Sequence, residues 1–354
     1  MTGLCNVSFC IGPFVGVLIA NSLAPQPTKW SYRGLFVAQW GFGITSIIVA
    51  PFMPESPWWL VNKNREDLAA KALRKLGHSE LSMEKHLAIM KVTASAAREE
   101  TASATFLECF RGTNLRRTII TIMPLTIQAM SGVAYISSYG TYYFELAGIS
   151  TQKSFQIQCG AQALSIAGNI GAFLIIDRIG RRPLILWAFG FLTVLLCVTG
   201  GLGTQTANHA CVLATVSLTV LYNFAYNFAI GAVAYAIIAE TPSNRLRIKT
   251  IAISSTIQQA FFTMWQFVLP FIFNPNQANL GAKTSFIFGG LSVLCWIYLF
   301  FYQPETANRT FEEIDEMFFR HVPARSFKGY VTDAETKGEE ALHGKVEETQ
   351  HVER

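Results

Sequence analysis

Long stretches without a formal charge dominate this sequence and limit what it can fold into. Between Pro183 and Ala239, 57 consecutive residues contain no Asp, Glu, Lys or Arg. Roughly 20 apolar residues in a helix cross the hydrocarbon core of a bilayer. The longest run is therefore long enough for two membrane helices, and each shorter run is long enough for one. The shorter uncharged runs are residues 1–28, 34–54, 118–144, 154–176, 251–282 and 284–304.

The runs predict an all-α membrane protein with eight transmembrane helices. Helices satisfy their own backbone hydrogen bonds in lipid, whereas a transmembrane barrel would show short strands of alternating hydrophobicity. Charged residues make up only 14% of the chain, and about a quarter is usual for a soluble domain. The predicted spans are residues 4–23, 34–53, 118–144, 155–176, 184–203, 211–239, 250–273 and 284–302.

Lysines and arginines are distributed unevenly between the two sides of such a protein. With both termini in the cytosol, 24 of them fall in cytosolic segments and four in outer loops, namely Lys29, Arg33, Lys153 and Lys283. Cytosolic loops of membrane proteins carry an excess of Lys and Arg, so the sequence predicts cytosolic termini. The net charge of +5 reflects this bias and does not indicate a nucleic-acid partner.

Polarity divides the chain into four predicted segments. Apolar periodicity in the polar stretch after the second span predicts a helix that ends at Gly77. Near the end of the chain, Thr310 and Glu313 predict a capping box, and the composition beyond Pro323 predicts disorder. The segments are two membrane helices at 1–53, a cytosolic helical loop at 54–117, a six-helix bundle at 118–302 and a cytosolic tail at 303–354.

Residues suited to metals, cofactors or catalysis are not grouped in this sequence. The seven cysteines lie mostly inside predicted spans without metal-ligand spacing, and the six histidines all lie outside the spans. A catalytic site inside the membrane would need a His, Asp or Glu constellation in a span. We therefore expect a protein that binds no cofactor and is not an enzyme.

Four short motifs stand at the predicted cytosolic ends of spans. Their order and position resemble those of the sugar-transporter branch of the major facilitator superfamily. The motifs are Pro54-Glu55-Ser56-Pro57, Asp177-Arg178-Ile179-Gly180-Arg181-Arg182, Glu240-Thr241-Pro242-Ser243-Asn244-Arg245-Leu246-Arg247 and Pro304-Glu305-Thr306.

The resemblance implies two six-helix halves joined by a cytosolic loop. Because two predicted spans precede the loop and six follow it, we expect an incomplete major facilitator fold with two N-terminal-half and six C-terminal-half helices. Details of the motifs resemble fungal maltose/α-glucoside permeases more than hexose carriers. That likeness implies alternating access, with maltose/α-glucoside:proton symport by the full-length protein in the plasma membrane. The implied partners are an α-glucoside or hexose, protons and the lipid bilayer.

The charged residues of these motifs predict a conformational clamp on the cytosolic side. Arg pairs bidentately with carboxylates, and pairs made in only one state would bias alternating access. The alternative is that arginines at span ends simply follow the positive-inside rule. The predicted clamp consists of Glu55, Asp177, Arg178, Arg181, Arg182, Glu240, Arg245, Arg247 and Glu305.

Four residues inside the spans are implied to contact the sugar. A neutral polyol is bound by hydrogen bonds from a few polar groups and by aromatic surfaces. Gln128 and Tyr139 match a glutamine and a tyrosine of the family's corresponding helix. Tyr235 stands at the family's tryptophan position, and Gln258 stands where the family carries Asn. The alternative for both glutamines is a hydrogen bond to a neighbouring helix.

Two other functions remain open from the sequence. A sensor with the same fold would bind sugar without moving it, and an inactive transporter fragment would do neither. Proton coupling in the family is attributed to an acidic residue in its first helix, and no predicted span here contains a formal charge. Measuring both sugar binding and sugar uptake separates these alternatives, because a sensor shows binding without uptake and an inactive fragment shows neither.

Overall fold

A computed structural model describes residues 2–26, 28–102, 104–146, 148–205, 208–243, 245–274 and 276–333, with the side chains of 2–5, 81, 96–102 and 146 left out. Every regular element in these ranges is helical. The helices are α1 (Thr2–Leu23), α2 (Trp30–Val49), α3 (Pro57–Asn62), α4 (Glu66–Lys75), α5 (Glu80–Ala102), α6 (Gly112–Met130), α7 (Val133–Leu146), α8 (Thr151–Ile179), α9 (Arg181–Leu202), α10 (His209–Tyr226), α11 (Ala232–Glu240), α12 (Arg247–Phe273), α13 (Thr284–Tyr302) and α14 (Phe311–Phe319).

Seven helical segments of the described chain are long and apolar enough to cross a membrane. They correspond to α1, α2, α6 with α7, α8, α9, α10 with α11, and α13. The eighth predicted span falls on α12, which has 27 residues but carries many Ser, Thr and Gln side chains. The all-helical membrane fold is therefore confirmed, and the count of eight stays a prediction.

The described residues form two compact units, which do not follow the predicted segment boundaries. One unit combines Met1–Pro25 with the chain from Cys109 onward, and the other is Gln26–Glu108. The first helix belongs to the larger unit because α1 packs along α8 and also contacts α11. The four predicted segments remain a prediction about organisation in the complete protein.

Within the smaller unit, α3, α4 and α5 pack around an apolar cluster that includes Leu60, Ala69 and Ala94. Lys91 and Glu66 join α5 to α4 through an ion pair of 2.5 Å. The chain reverses after α4 at Gly77, whose φ of +88° is unfavourable for residues with a side chain. The predicted helix end at Gly77 is confirmed.

The helices of the larger unit are interrupted at two places inside the membrane. Gly132, with φ of +93°, separates α6 from α7. A π turn at Asn227–Gly231 separates α10 from α11. Both interruptions are buried, and broken helices at membrane depth are tolerated only where other protein groups surround them. These two breaks lie next to the polar residues described below.

After α13 the chain forms a folded segment that contains α14 and a short 3₁₀ helix. The predicted capping box is confirmed, since the Glu313 N–H donates to Thr310 Oγ1 at 3.3 Å and the Thr310 N–H donates to Glu313 Oε2 at 2.7 Å. The prediction of disorder beyond Pro323 is wrong for residues 324–333, because Phe327 is fully buried against α14 in an apolar cluster. Residues 334–354 of the predicted tail lie outside the described residues.

We expect Gly132→Ala to destabilise the protein. A Cβ atom at this position would lie 3.0 Å from Phe288 Cγ, and positive φ costs a residue with a side chain about 1–2 kcal/mol. The thermal unfolding midpoint in detergent should therefore fall. Gly160→Ala is the matched control, since a Cβ at Gly160 in α8 meets nothing within 4 Å. An equal midpoint for the two variants would contradict the assignment of the break.

Candidate functional site

Two of the four predicted sugar-contacting residues lie against each other in the larger unit. Gln258 of α12 donates from Nε2 to Gln128 Oε1 of α6 at 2.6 Å. Gln128 in turn donates from Nε2 to the carbonyl oxygens of Ile230 at 3.0 Å and Gly231 at 3.2 Å. Both glutamine side chains are buried. The arrangement links α6, α12 and the π turn through amide hydrogen bonds.

Both carbonyls that accept from Gln128 belong to the π turn. A π turn interrupts the α-helical hydrogen-bond ladder and is frequent at functional sites. Inside a bilayer, a backbone carbonyl needs a partner from the protein because lipid offers none. Gln128 therefore has a structural role in this conformation, which is the alternative that the sequence left open. That role leaves a further role in sugar contact untested.

The two predicted tyrosines lie at separate aromatic contacts. Tyr139 of α7 stacks on Phe273 of α12 with ring centroids 5.9 Å apart. Tyr235 of α11 stacks on Phe9 of α1 at 6.3 Å. Both tyrosines are half-buried. Tyr235 follows Gly231 by one helical turn, so it lies close in sequence to the carbonyls that accept from Gln128.

Several buried amides near the π turn were not among the predicted site residues. Asn227 donates from Nδ2 to the Asn223 carbonyl at 3.0 Å and accepts at Oδ1 from the Cys10 thiol at 3.2 Å. Asn169 of α8 lies 3.9 Å from the same sulfur and is fully buried. The sequence signal was present, since Asn is rare in membrane helices unless it is paired. The contact with α1 could not be read from sequence.

At the charged ends of the helices, Glu240 and Arg181 form the central ion pair. Arg181 Nη2 lies 2.9 Å from Glu240 Oε1, and the Thr306 hydroxyl donates to Glu240 Oε2 at 2.6 Å. Asp177 also pairs with Arg181 at 3.0 Å, but its side chain is 75% exposed whereas that of Arg181 is 13% exposed. The pair therefore joins the ends of α9 and α11 and the segment after α13.

Glu305 caps the backbone at the start of α9. Its carboxylate accepts from the N–H groups of Arg181 at 2.9 Å, Arg182 at 3.1 Å and Ala307 at 3.0 Å. Helix N-terminal N–H groups lack intrahelical acceptors, and a carboxylate also interacts favourably with the helix dipole there. Gly180 makes this approach possible, because a Cβ at that position would lie 2.6 Å from Glu305 Oε2.

The other predicted clamp residues have separate environments. Arg182 donates from Nη2 to the Phe300 carbonyl at 2.8 Å, and the Arg247 guanidinium lies 4.1 Å from the Phe311 ring centroid. Arg178 and Arg245 are exposed, and Asn244 of the same motif lies outside the described residues. Glu55 is exposed in the smaller unit, where its carboxylate accepts from the Ser56 N–H at 3.4 Å.

One buried charged residue was missed because α6 begins at Gly112, ahead of the predicted span. Arg117 is only 6% exposed, forms an ion pair with Asp315 and donates from Nε to the Thr241 carbonyl. Arg116 donates from Nη2 to the Val322 carbonyl at 2.7 Å. The sequence places both arginines at the end of the predicted cytosolic loop. The signal that it offers is two adjacent cations directly before the predicted span 118–144.

Within the described ranges, no group of three His, Cys, Asp or Glu side chains could hold a metal ion. The polar groups brought together are thus amides and hydroxyls among the helices, and carboxylate–guanidinium pairs at their charged ends. The first group suits a neutral, hydroxyl-rich ligand. The second group, the carboxylate–guanidinium pairs, is of the kind that breaks and re-forms when helix ends separate in a conformational change.

A family model described as "Sugar (and other) transporter" matches residues 1–318. The chain belongs to this sugar transporter family. A general alpha-glucoside permease of Saccharomyces cerevisiae is 33% identical over 346 residues, which cover 96% of this chain and 56% of the permease. The maltose permease MAL31 of the same yeast is 32% identical and is matched over 94% of this chain and 55% of its own length. The chain thus spans about half the length of these relatives.

Solved structures of major facilitator superfamily sugar transporters have the same fold. The proton:xylose symporter XylE bound to 6-bromo-6-deoxy-D-glucose gives a TM-score of 0.70 at 19% identity, covering 90% of this chain and 66% of XylE. XylE from E. coli in a partially occluded inward-open conformation gives 0.69 at 17% identity, covering 87% and 64%. These structures confirm the predicted major facilitator type of fold. The family match and the yeast relatives confirm the predicted resemblance to sugar transporters of the maltose-permease type, and that family contains transporters and not enzymes.

We expect Glu240→Gln to destabilise the protein more than Asp177→Asn. Removing the Glu240 charge leaves the mostly buried Arg181 with only the exposed Asp177, which should cost about 1–3 kcal/mol for a partly buried pair. Removing the exposed Asp177 charge should cost at most about 0.5 kcal/mol. Thermal unfolding of both variants in the same detergent measures the difference.

A double-substitution cycle isolates the ion pair itself. In an Arg181→Gln background, Glu240→Gln should lose most of its effect, because its partner charge is already absent. Equal effects of Glu240→Gln in both backgrounds would contradict the pair as the source of the stability.

Proposed function

We propose that the protein moves an α-glucoside such as maltose across the plasma membrane by alternating access, coupled to protons. The single observation that supports this most is the buried Gln128–Gln258 pair beside the π turn. The names of the yeast relatives, an alpha-glucoside permease and maltose permeases, supply the substrate class. The structural neighbour named a proton:xylose symporter supplies the precedent for proton coupling.

The amide pair has the chemistry that a neutral sugar needs. Each glutamine offers a carbonyl acceptor and an N–H₂ donor, and a sugar hydroxyl can both donate and accept. A sugar that inserts between the two amides would replace their mutual hydrogen bond with two new ones. The aromatic faces of Tyr139 and Tyr235 would then bound the apolar surface of the sugar rings. α12 would be an eighth membrane helix whose polar face lines the path, which accounts for its lower hydropathy.

Alternating access requires charged contacts that break as one side opens. Arg181 with Glu240 is the best candidate, because it joins separate helices and is shielded from solvent. We propose that this pair, together with Asp177 and the Glu305 cap, holds the helix ends together in one conformation. The remaining predicted clamp residues would contribute by charge rather than by direct pairing.

We expect Gln258→Leu to weaken maltose binding by about tenfold or more. The leucine cannot hydrogen-bond a sugar hydroxyl and leaves Gln128 Oε1 without a donor, and sites built for hydroxyl groups discriminate strongly when a partner is lost. Gln259→Leu is the matched control, because Gln259 is the next residue of the same helix and its side chain is exposed. The measurement is equilibrium binding of labelled maltose to the purified protein.

The same variants distinguish sugar contact from helix packing. If Gln258 only joins α12 to α6, Gln258→Leu should lower the thermal midpoint and leave maltose affinity equal to that of Gln259→Leu. Binding without maltose uptake in cells that lack other carriers would instead indicate a sensor. Uptake that a protonophore does not reduce would remove proton coupling from the proposal.

We further propose that both termini and residues 54–117 lie in the cytosol, as the distribution of basic residues indicates. Native Cys109 cannot report this, because it is fully buried. Ser95→Cys and Lys153→Cys introduce thiols at exposed positions on the two predicted sides. A membrane-impermeant maleimide added to intact cells should label Lys153→Cys and spare Ser95→Cys. Labelling in the opposite pattern would reverse the orientation.

A further inference from the structure

An apolar ridge flanked by two grooves runs along the surface of α9. Trp187 and Phe191, one helical turn apart, form the ridge and are 83% and 51% exposed. On one side lies a groove of about 400 Å³ between α9 and α10, which Phe224 and Phe228 complete. On the other side lies a groove of about 470 Å³ between α9 and α13, which includes Trp296. Both grooves are lined by the two ridge residues.

The first groove adjoins a polar cavity at the charged end of the helices. Ile179, the last residue of α8, lines both the groove and a cavity of about 320 Å³. Arg178, Glu305, Arg309, Glu313 and Lys328 are among the residues that line this cavity. An apolar groove and a charged cavity thus share one lining residue, which is the arrangement that an acyl chain joined to a charged headgroup requires.

Three cations and three carboxylates line this cavity, and each carboxylate already has a hydrogen-bond or ion-pair partner. The Glu305 carboxylate already accepts from three backbone N–H groups, and Glu313 lies 3.7 Å from Arg309 and caps α14. Arg178 and Lys328 are exposed and have no ion-pair partner among the described residues. Asp177, the third carboxylate, is paired with Arg181. An anion that enters the cavity would therefore meet two exposed cations, Arg178 and Lys328, that have no ion-pair partner among the described residues.

We propose that this surface binds one anionic glycerophospholipid. One acyl chain lies in the α9–α10 groove, the other crosses Trp187 into the α9–α13 groove, and the phosphate lies between Arg178 and Lys328. Arg recognises phosphate oxygens bidentately, and Lys adds a point charge. Basic pockets between membrane helices bind anionic headgroups by the same chemistry. The site lies on the outer surface of the bundle and does not depend on which sugar is carried.

The test measures which lipid stays bound to the purified protein. The full chain is exchanged into detergent with equal amounts of phosphatidylserine and phosphatidylcholine, and native mass spectrometry gives the ratio of the two bound lipids. Two cations at the headgroup should give a preference for phosphatidylserine on the order of tenfold. Arg178→Gln combined with Lys328→Gln should bring this ratio close to one.

Matched variants separate the headgroup from the chains. Lys153→Gln with Lys283→Gln removes the same two charges from other exposed positions and should leave the ratio unchanged. Trp187→Ala should reduce the retention of both lipids alike, whereas Phe267→Ala on α12, where the side chain is 71% exposed, should not. The ratio is taken within one sample, so partial unfolding of a variant does not affect it.

Three results would overturn the proposal. One is an unchanged lipid ratio in the Arg178→Gln, Lys328→Gln protein. Another is an equal loss of preference in the control that lacks Lys153 and Lys283. The third is displacement of phosphatidylserine by inorganic phosphate at matched concentration, which would mean an anion site without a lipid site.

Discussion

Backbone groups inside a bilayer have no water to bond, and this constraint explains the most unusual contact in the molecule. The π turn interrupts the α10–α11 helix, and Gln128 supplies hydrogen bonds to the carbonyls of Ile230 and Gly231. Gln258 then supplies the donor that the Gln128 carbonyl requires. One broken helix thus determines the positions of amides on two others. A polar ligand that reaches these amides finds them already oriented.

At the charged ends of the helices, side-chain charges bond the backbone groups that the helix termini leave without partners. Glu305 satisfies the first N–H groups of α9, Arg182 satisfies a carbonyl near the end of α13, and Arg117 satisfies the Thr241 carbonyl after α11. Each of these charged groups therefore compensates a helix terminus, and Arg117 also pairs with Asp315. This explains why acidic residues occur here at all, since the positive-inside rule requires only the arginines. All of these contacts join helices within the larger unit.

Much of this fold could be predicted because membrane helices must be both apolar and uncharged over a fixed length. The uncharged runs predicted most helix positions well, and the helix end at Gly77 and the Thr310 capping box followed from local chemistry. The π turn had no local signal, because Asn227–Gly231 reads as an ordinary apolar helix. The partner of Gln128 could not be predicted either, since Gln258 is 130 residues away in sequence. The uncharged runs place Arg117 in a loop, because a charge ends the run, whereas in the structure Arg117 lies in α6 and pairs with Asp315 and the Thr241 carbonyl.

The π turn also fixes the rotational phase of everything that follows it. A π turn holds one more residue than the corresponding α-helical turn, and each residue of an α-helix advances the next by about 100°. If residues 227–231 formed a regular α-helix with none removed, α11 would turn by about that angle. Tyr235 would then face away from Phe9, and Glu240 would face away from Arg181. By absorbing one additional residue, the π turn thus keeps the Tyr235–Phe9 contact and the Glu240–Arg181 ion pair on their present faces of α11.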